Sequence, residues 1–315
     1  MTHPISAHLR ALVAGLLLLV GVASAQPIVL EHAAGTTTLE EPAARVVALE
    51  WTYAEDLLAV GVQPVGVADV AGFEAWVNVE PGLAESVTDV GTRQEPSLEA
   101  ILALEPDLIL GVGFRHEAIL DQLEGIAPTL LFDPYPAEGG PSQLEEMEAT
   151  FRTVATAVGR AARAEAVLGE TAAVFEDAAE RIAAAGAAGD EVLLVQAFSA
   201  QNAPQIRVFT DNAMAVGILR RLGFENAWPG TYATYGFDTV DVEGLAPVSE
   251  ADAFFYVVQA NDDVFAQQLA DNPLWQALGF VQQDATYALG GDTWLFGGPL
   301  SAQVLATTIA DRYTE

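Results

Sequence analysis

Arg45-Val-Val-Ala-Leu-Glu-Trp-Thr-Tyr-Ala-Glu-Asp-Leu-Leu-Ala-Val-Gly61 changes its hydrophobic pattern partway along. Arg45 to Leu49 is a short run of β type. Thr52 and Glu55 then stand at capping-box spacing and predict a helix start, with Gly61 in the position just past its end. Further out, Pro64 to Val67 and Asp107 to Leu110 are strand-like, and Leu98 to Leu104 carries a helical pattern before the second of them. Leu130 to Phe132 is expected to be the last strand of this unit. Strand alternating with helix predicts an α/β lobe with a largely parallel sheet.

A second capping box, Ser142 with Glu145, opens the next segment. Leu144, Met147, Phe151, Val154 and Val158 step by 3, 4, 3 and 4 residues, the spacing of an amphipathic helix, and Gly159 is expected to break it. The alanine-rich stretch from Arg160 to Ala185 predicts a second helix, with Leu168, Phe175 and Ile182 on one side; at 26 residues it would be about 39 Å long. Past Gly186 to Gly189 the alternation begins again, from Val192-Leu-Leu-Val195 through a helix ending near Leu222 with Gly223 as its cap. The chain also echoes itself. Arg45 to Gly61 resembles Val208 to Gly223, and Leu98-Glu99 leading to Asp107-Leu-Ile-Leu resembles Val242-Glu243 leading to Asp252-Ala-Phe-Phe.

The simplest architecture with these properties is two three-layer α/β lobes joined by one long rigid helix. The lobes are expected over residues 26–158 and 188–315, with the connection over 159–187. A ligand would sit between them, where clefts commonly form.

Composition narrows the function classes. Arg10, the apolar run from Ala11 to Val22 and the exit Ala23-Ser24-Ala25 predict a signal peptide over residues 1–25. The run is too short for a bilayer span, which takes about 20 apolar residues. The chain has no cysteine, so Gln26 cannot carry a lipid, and a thiol nucleophile, thiolate metal site or disulfide framework is excluded. The expectation is a soluble periplasmic protein without a membrane anchor. Its formal net charge is -32, and all 12 basic residues are arginine. Nucleic acid is thereby excluded as a partner, and any arginine in a ligand cleft is a local exception that needs a reason.

Several segments, taken in order, resemble the ferric-siderophore receptors of ABC importers, the hydroxamate receptors most closely. They are Arg45 to Trp51, Gly61 to Asp69, Trp76, Val90-Gly-Thr-Arg-Gln-Glu-Pro-Ser-Leu-Glu99, Val208-Phe209 with Asn212, Asn226-Ala-Trp228, Asn272-Pro-Leu-Trp-Gln-Ala277, and Trp294 with Gly297 to Ser301. The resemblance covers nearly the whole mature length. It implies a monomeric, non-catalytic receptor without a cofactor, whose ligand is a ferric siderophore with the iron held by the siderophore and no metal bound by the protein itself. It also implies a partner, the ABC permease dimer of the inner membrane.

The same resemblance assigns Arg93 to the chelate oxygens, a salt bridge to Glu95 being the alternative. It sets Trp76, Tyr235 and Trp294 as aromatic walls of the cleft, with Trp51 facing the same region. Aromatic faces and a guanidinium suit a bulky, oxygen-rich and often anionic chelate. Two departures stand out: Phe114 where the hydroxamate receptors carry tyrosine, and Tyr235 where they carry tryptophan. Arg115 is an additional cation just past a strand end, a place where open α/β sheets bind ligands. It would favour free carboxylates, as in citrate-type siderophores. Glu99 and Glu243, one per lobe, match the glutamates that grip arginines of the permease.

Two alternatives remain beside this reading. A receptor for haem or a corrinoid would share the architecture. A periplasmic enzyme would need a catalytic constellation, and the chain lacks Gly-x-Ser-x-Gly, His-Glu-x-x-His and a P-loop; His116-Glu117 is the one pair to be imagined as acid and base. A bare-metal receptor would need converging ligands, whereas only His32 and His116 remain after cleavage, in different parts of the lobe.

Overall fold

The structure, a computed structural model, describes residues 26–315; the expected signal peptide lies outside the described residues. A hairpin of β1 (Ile28–His32) and β2 (Gly35–Leu39) precedes the first sheet. That sheet contains β3 (Val46–Ala48), β4 (Gly66–Val67), β5 (Thr88–Asp89), β6 (Leu108–Val112) and β7 (Thr129–Phe132) in the order β5-β4-β3-β6-β7. All its pairings are parallel. Strands β3, β6 and β7 are buried along their whole length, as expected where helices cover both faces. Those helices are α1 (Trp51–Ala59), α2 (Val70–Trp76), α3 (Leu98–Ala103), α4 (Gly113–His116) and α5 (Leu120–Glu124).

Two long helices follow. The capping box at Ser142 and Glu145 forms as its spacing predicts and starts α6 (Gln143–Ala157). Gly159 takes φ 68°, a left-handed turn glycine adopts without strain, and α7 (Ala161–Ala184) continues for 24 residues. Helix α7 connects the lobes: Ala164 and Val167 pack into the first core, and Phe175, Ala178 and Ile182 into the second. Helix α6 is shared in the opposite sense. Leu144 and Met147 pack with the second lobe, while Phe151, Val154 and Ala157 pack with the first.

In the second lobe, β8 (Glu191–Ala200) turns back directly into β9 (Ala203–Phe209). Gln201 and Asn202 have φ of 51° and 62°, the paired positive values of a two-residue hairpin turn. Helix α8 (Met214–Arg221), β10 (Glu225–Asn226), β11 (Phe237–Val240), β12 (Ala253–Val257), the short helices α9 (Pro273–Gln276) and α10 (Gly279–Gln282), β13 (Thr286–Ala288) and α11 (Pro299–Thr314) complete the chain. The sheet runs β11-β9-β8-β12-β13, with β10 also on β8. It is mixed: β9 is antiparallel to both β8 and β11.

The internal echo is therefore half correct. Asp107 accepts from the backbone N–H groups of Ala44 and Arg45 at 2.9 and 2.8 Å, tying the start of β6 to that of its parallel neighbour β3. Asp252 does the same for β12 and β8 by accepting from Glu191 N at 2.8 Å. The likeness of Arg45–Gly61 to Val208–Gly223 does not extend to topology, since β3 is a central parallel strand and β9 is antiparallel.

The capping box expected at Thr52 and Glu55 does not form. Helix α1 starts two residues earlier, with Glu50 as its N-cap, accepting from Trp51 N. Thr52 and Glu55 reach the other lobe instead. Thr52 Oγ1 donates to Phe296 O at 2.8 Å, and the buried Glu55 carboxylate accepts from Ser301 N and Ser301 Oγ at 2.7 and 2.6 Å. Glu55 thus caps α11 across the lobe junction. The approach is close: a Cβ on Gly298 would lie 2.5 Å from Asp56 Oδ1. Asp56 is itself buried and neither of its oxygens has a partner; burial, followed by the neighbouring Glu55, pushes its pKa well above the ordinary carboxylate value.

Candidate functional site

A cavity of about 390 Å³ lies between the lobes. Its first-lobe wall comes from segments just past the C-terminal ends of four parallel strands: Glu50 after β3, Arg93 after β5, Phe114 and Arg115 after β6, and Tyr135 after β7. This is the edge at which open α/β sheets bind ligands. The opposite wall comes from Arg207 on β9, Tyr235, and Phe237 on β11, with Trp294 and Phe296 from the segment before α11.

Glu50 organises the cations. One of its carboxylate oxygens accepts from Arg93 Nη1 at 2.6 Å and the other from Arg115 Nη1. The partner of Arg93 is therefore Glu50 and not Glu95, with Asp69 further off at 4.0 Å from Nε. The Arg93 guanidinium lies 3.5 Å above the Trp51 ring, within cation–π range. Beneath it, His116 is fully buried; Nε2 pairs with Arg93 O at 2.9 Å and Nδ1 accepts from Val112 N at 3.0 Å. The ring is thus neutral, with its proton on Nε2. Burial lowers its pKa, and this outweighs the raising effect of the Arg93 carbonyl bond. With both nitrogens engaged by backbone, His116 cannot serve with Glu117 as an acid–base pair. It holds the Arg93 main chain against the end of β6.

Arg207 is the cation that sequence reasoning missed. Its guanidinium lies between the rings of Phe198 and Phe237, at 4.8 and 4.5 Å, and donates to Gln196 Oε1 at 3.0 Å. Burial lowers its pKa. Tyr135 was missed as well: it packs against Phe114 and Tyr235 at 5.6 and 5.2 Å, joining the two lobes at the rim. Burial, then Glu50, pushes its hydroxyl up to about 12.

Arg93, Phe114, Arg115, Tyr235 and Trp294 line the cavity together; Trp51 and Trp76 do not. Trp51 points inward because its indole N–H donates to the carbonyls of Ala68 and Asp69 at 3.2 and 3.1 Å. It supports Arg93 from below. Trp76 packs on the far side of Trp294, ring centroids 6.2 Å apart. Glu99 and Glu243 lie away from the cavity and are exposed, at the openings of α3 and of the 3-10 helix Glu243–Val248.

Among the described residues, buried side-chain polar atoms without a partner occur on five residues, and four of these line the cavity. They are Tyr53 Oη, Arg93 Nε, Gln143 Nε2 and Trp294 Nε1. Each carries a hydrogen, and buried polar groups normally find partners. Together with three guanidinium groups they form a surface made to receive acceptor oxygens.

Comparison with known proteins agrees with this chemistry. The family model described as "Periplasmic binding protein" matches residues 46–293. The chain is 30% identical over 259 residues to the iron(3+)-hydroxamate-binding protein FhuD of Escherichia coli, covering 82% of this chain and 83% of that one. It is also 30% identical over 291 residues to the Fe(3+) dicitrate-binding periplasmic protein FecB of the same organism, covering 91% and 90%. Among solved structures, the Fe3+–Desferal-bound siderophore-binding protein FhuD from Vibrio cholerae superposes with a TM-score of 0.77 at 28% identity, covering 85% of this chain and 97% of that one.

Proposed function

The chain belongs to the periplasmic binding protein family, and on that premise we propose that it captures a ferric siderophore and delivers it to an inner-membrane ABC permease. The observation that carries this reading is the donor set: Tyr53, Gln143, Trp294 and three arginines belong to the lining of one aromatic-walled cavity, and Tyr53, Gln143, Trp294 and Arg93 each keep a donor atom without a protein partner. A ferric hydroxamate or citrate chelate is a shell of acceptor oxygens around iron, so the protein contributes hydrogen bonds and stacking while the siderophore supplies every iron ligand. The site's charge separates chelate classes. Arg93, Arg115 and Arg207 outnumber the lining carboxylates Glu50 and Glu146 by three to two, so a net anionic chelate is preferred, with free carboxylates taken by the guanidinium forks.

Haem would find no free histidine as an axial ligand, because His32 and His116 both spend ring nitrogens on protein partners; Tyr135 and Tyr235 are lining side chains left for that role. We read the protein as non-catalytic, released into the periplasm after cleavage behind Ala25, without a lipid anchor and as a monomer. Glu99 and Glu243 are its permease contacts, one per lobe, each opening the helix that leads to the strand tied down by Asp107 or Asp252. Partly exposed ion pairs contribute about 0.2–1 kcal/mol each, enough to set docking orientation.

Tryptophan fluorescence during titration with ferric hydroxamates, citrates, catecholates and haem tests the reading, since Trp294 lines the cavity and Trp51 touches it at 5.2 Å between centroids. Saturable quenching by a ferric hydroxamate or citrate chelate is expected. Response to haem alone would overturn it.

A further inference from the structure

A second cavity, of about 360 Å³, opens on the other side of the aromatic wall, lined by Trp76, Phe198, Gln259, Asn261 and Asp262 together with Ala75 and Ala197. Two contacts join it to the first. Trp76 packs on Trp294, which lines the first cavity, and Phe198 packs on the Arg207 guanidinium, which does so too. Like the first cavity it lies between the lobes, since Trp76 ends α2 and Phe198 belongs to β8; Gln259 Nε2 closes its floor by donating to Ala75 O and Gly291 O at 3.4 and 2.8 Å.

Its electrostatics are opposite to those of the first. Asp262 is the one charged residue in its lining, and no arginine is present. The Asp262 carboxylate is fixed by bonds from Ser199 N at 2.8 Å and from Ser199 Oγ, which in turn accepts from Gln268 Nε2 at 2.5 Å. The Ser199 bonds hold its carboxyl below the ordinary carboxylate range, so it is charged at neutral pH. The Phe198 ring already carries the Arg207 guanidinium, so the Trp76 ring beside one fixed carboxylate is what this cavity offers an organic cation.

We propose that the cleft is bipartite: the arginine-lined half receives the oxygen shell of the chelate, and the Trp76–Phe198–Asp262 half receives a primary ammonium arm of the same ligand. The inference rests on the siderophore reading and deepens it. An arm extending from the chelate past Trp294 enters a region where the charge preference changes sign, and this discriminates among siderophores that present the same iron-bound core.

The test uses the full mature protein and two probes, a ferric trihydroxamate with a free primary amine and its N-acetylated form. A cation–π contact and a partly exposed ion pair together predict about tenfold tighter binding of the amine form. Asp262→Asn should bring the two affinities within about twofold while leaving that of the acetylated form unchanged. Ser199→Ala, which removes the hydroxyl bond to the carboxylate but keeps the backbone N–H bond and the charge, should retain most of the preference. Equal binding of both probes by the wild-type protein, or an undiminished preference in Asp262→Asn, would overturn the second subsite and leave the siderophore reading standing. Failure of both probes to bind would overturn the second subsite for this ligand class, and failure of ferric citrate chelates as well would remove the siderophore reading.

Discussion

Replacing Glu50 by glutamine should strengthen binding of an anionic chelate while weakening the fold. Glu50 occupies both first-lobe guanidinium groups, one oxygen to each, so it already holds the position a ligand carboxylate would seek. A ligand charge on the far side of those groups, roughly 8 Å from Glu50, is repelled by about 2 kcal/mol at an effective dielectric of about 20. Removing the charge therefore predicts roughly thirtyfold tighter binding per unit of ligand charge. A neutral ferric trihydroxamate should change by less than about threefold. The cost falls on stability. The Glu50, Arg93 and Arg115 side chains are only 10%, 16% and 23% exposed, and two partly buried cations losing their counter-charge should lower ΔG of unfolding by about 1–3 kcal/mol. Calorimetric titration of the two chelate classes, with thermal unfolding of both proteins, measures each part. Weaker binding of the anionic chelate by Glu50→Gln would refute this charge balance, the ordering of the arginines by Glu50 then outweighing its repulsion of the ligand.

Glu55→Ala leaves Ser301 N–H and Oγ–H without their acceptor and should destabilise the protein by about 1–3 kcal/mol in denaturant unfolding, an unchanged midpoint counting against the cap across the junction. Asp56 holds its proton in the fold and would lose it in the unfolded chain above about pH 3.8, so its burial becomes increasingly destabilising as pH rises from there. Asp56→Asn should accordingly raise Tm more at pH 8 than at pH 4, and a pH-independent difference would contradict this. His116 is neutral in the fold with its pKa below 6.5, so its contribution is present above about pH 6.5 and is lost as pH falls through that value toward the folded pKa. Tm should decline over that window, and less steeply in His116→Gln. Reversing charge at Glu99 and Glu243 together should abolish uptake in cells without altering ligand affinity; normal transport would remove them from the permease contact.

The centre of the first lobe was legible because β3, β6 and β7 are wholly buried apolar runs that the hydrophobic pattern locates, whereas the edge strand β5 (Thr88–Asp89) is polar and exposed and carries no such pattern. The connecting helix was legible for a similar reason, an alanine-rich stretch from Arg160 to Ala185 with Leu168, Phe175 and Ile182 at helical spacing. In the second lobe the strand at Val192–Val195, the helix end before Gly223 and the strand after Asp252 were legible, but the antiparallel pairing was not, because the turn that makes β8 and β9 a hairpin is Gln201-Asn202 and lacks the glycine by which such turns are usually recognised. Missing the hairpin hid Arg207, whose strand was not placed across from Gln196. Thr52 and Glu55 had the right spacing for a local cap, but capping spacing carries no information on whether a partner from the other lobe competes, and Ser301 does. Trp51 shows the same limit for aromatics: its place at a helix start beside the cleft is readable, whereas the two carbonyls that turn its indole inward are set by tertiary structure.

Sharing α6 and α7 between both cores has a consequence for how the molecule comes apart. Neither half encloses a complete interior without side chains from a helix that also serves the other, so a gene cut at Gly159 would yield two fragments with exposed apolar seams, prone to aggregate. Heating the intact chain should melt it in one cooperative step, with the binding cleft and the connecting helix lost together.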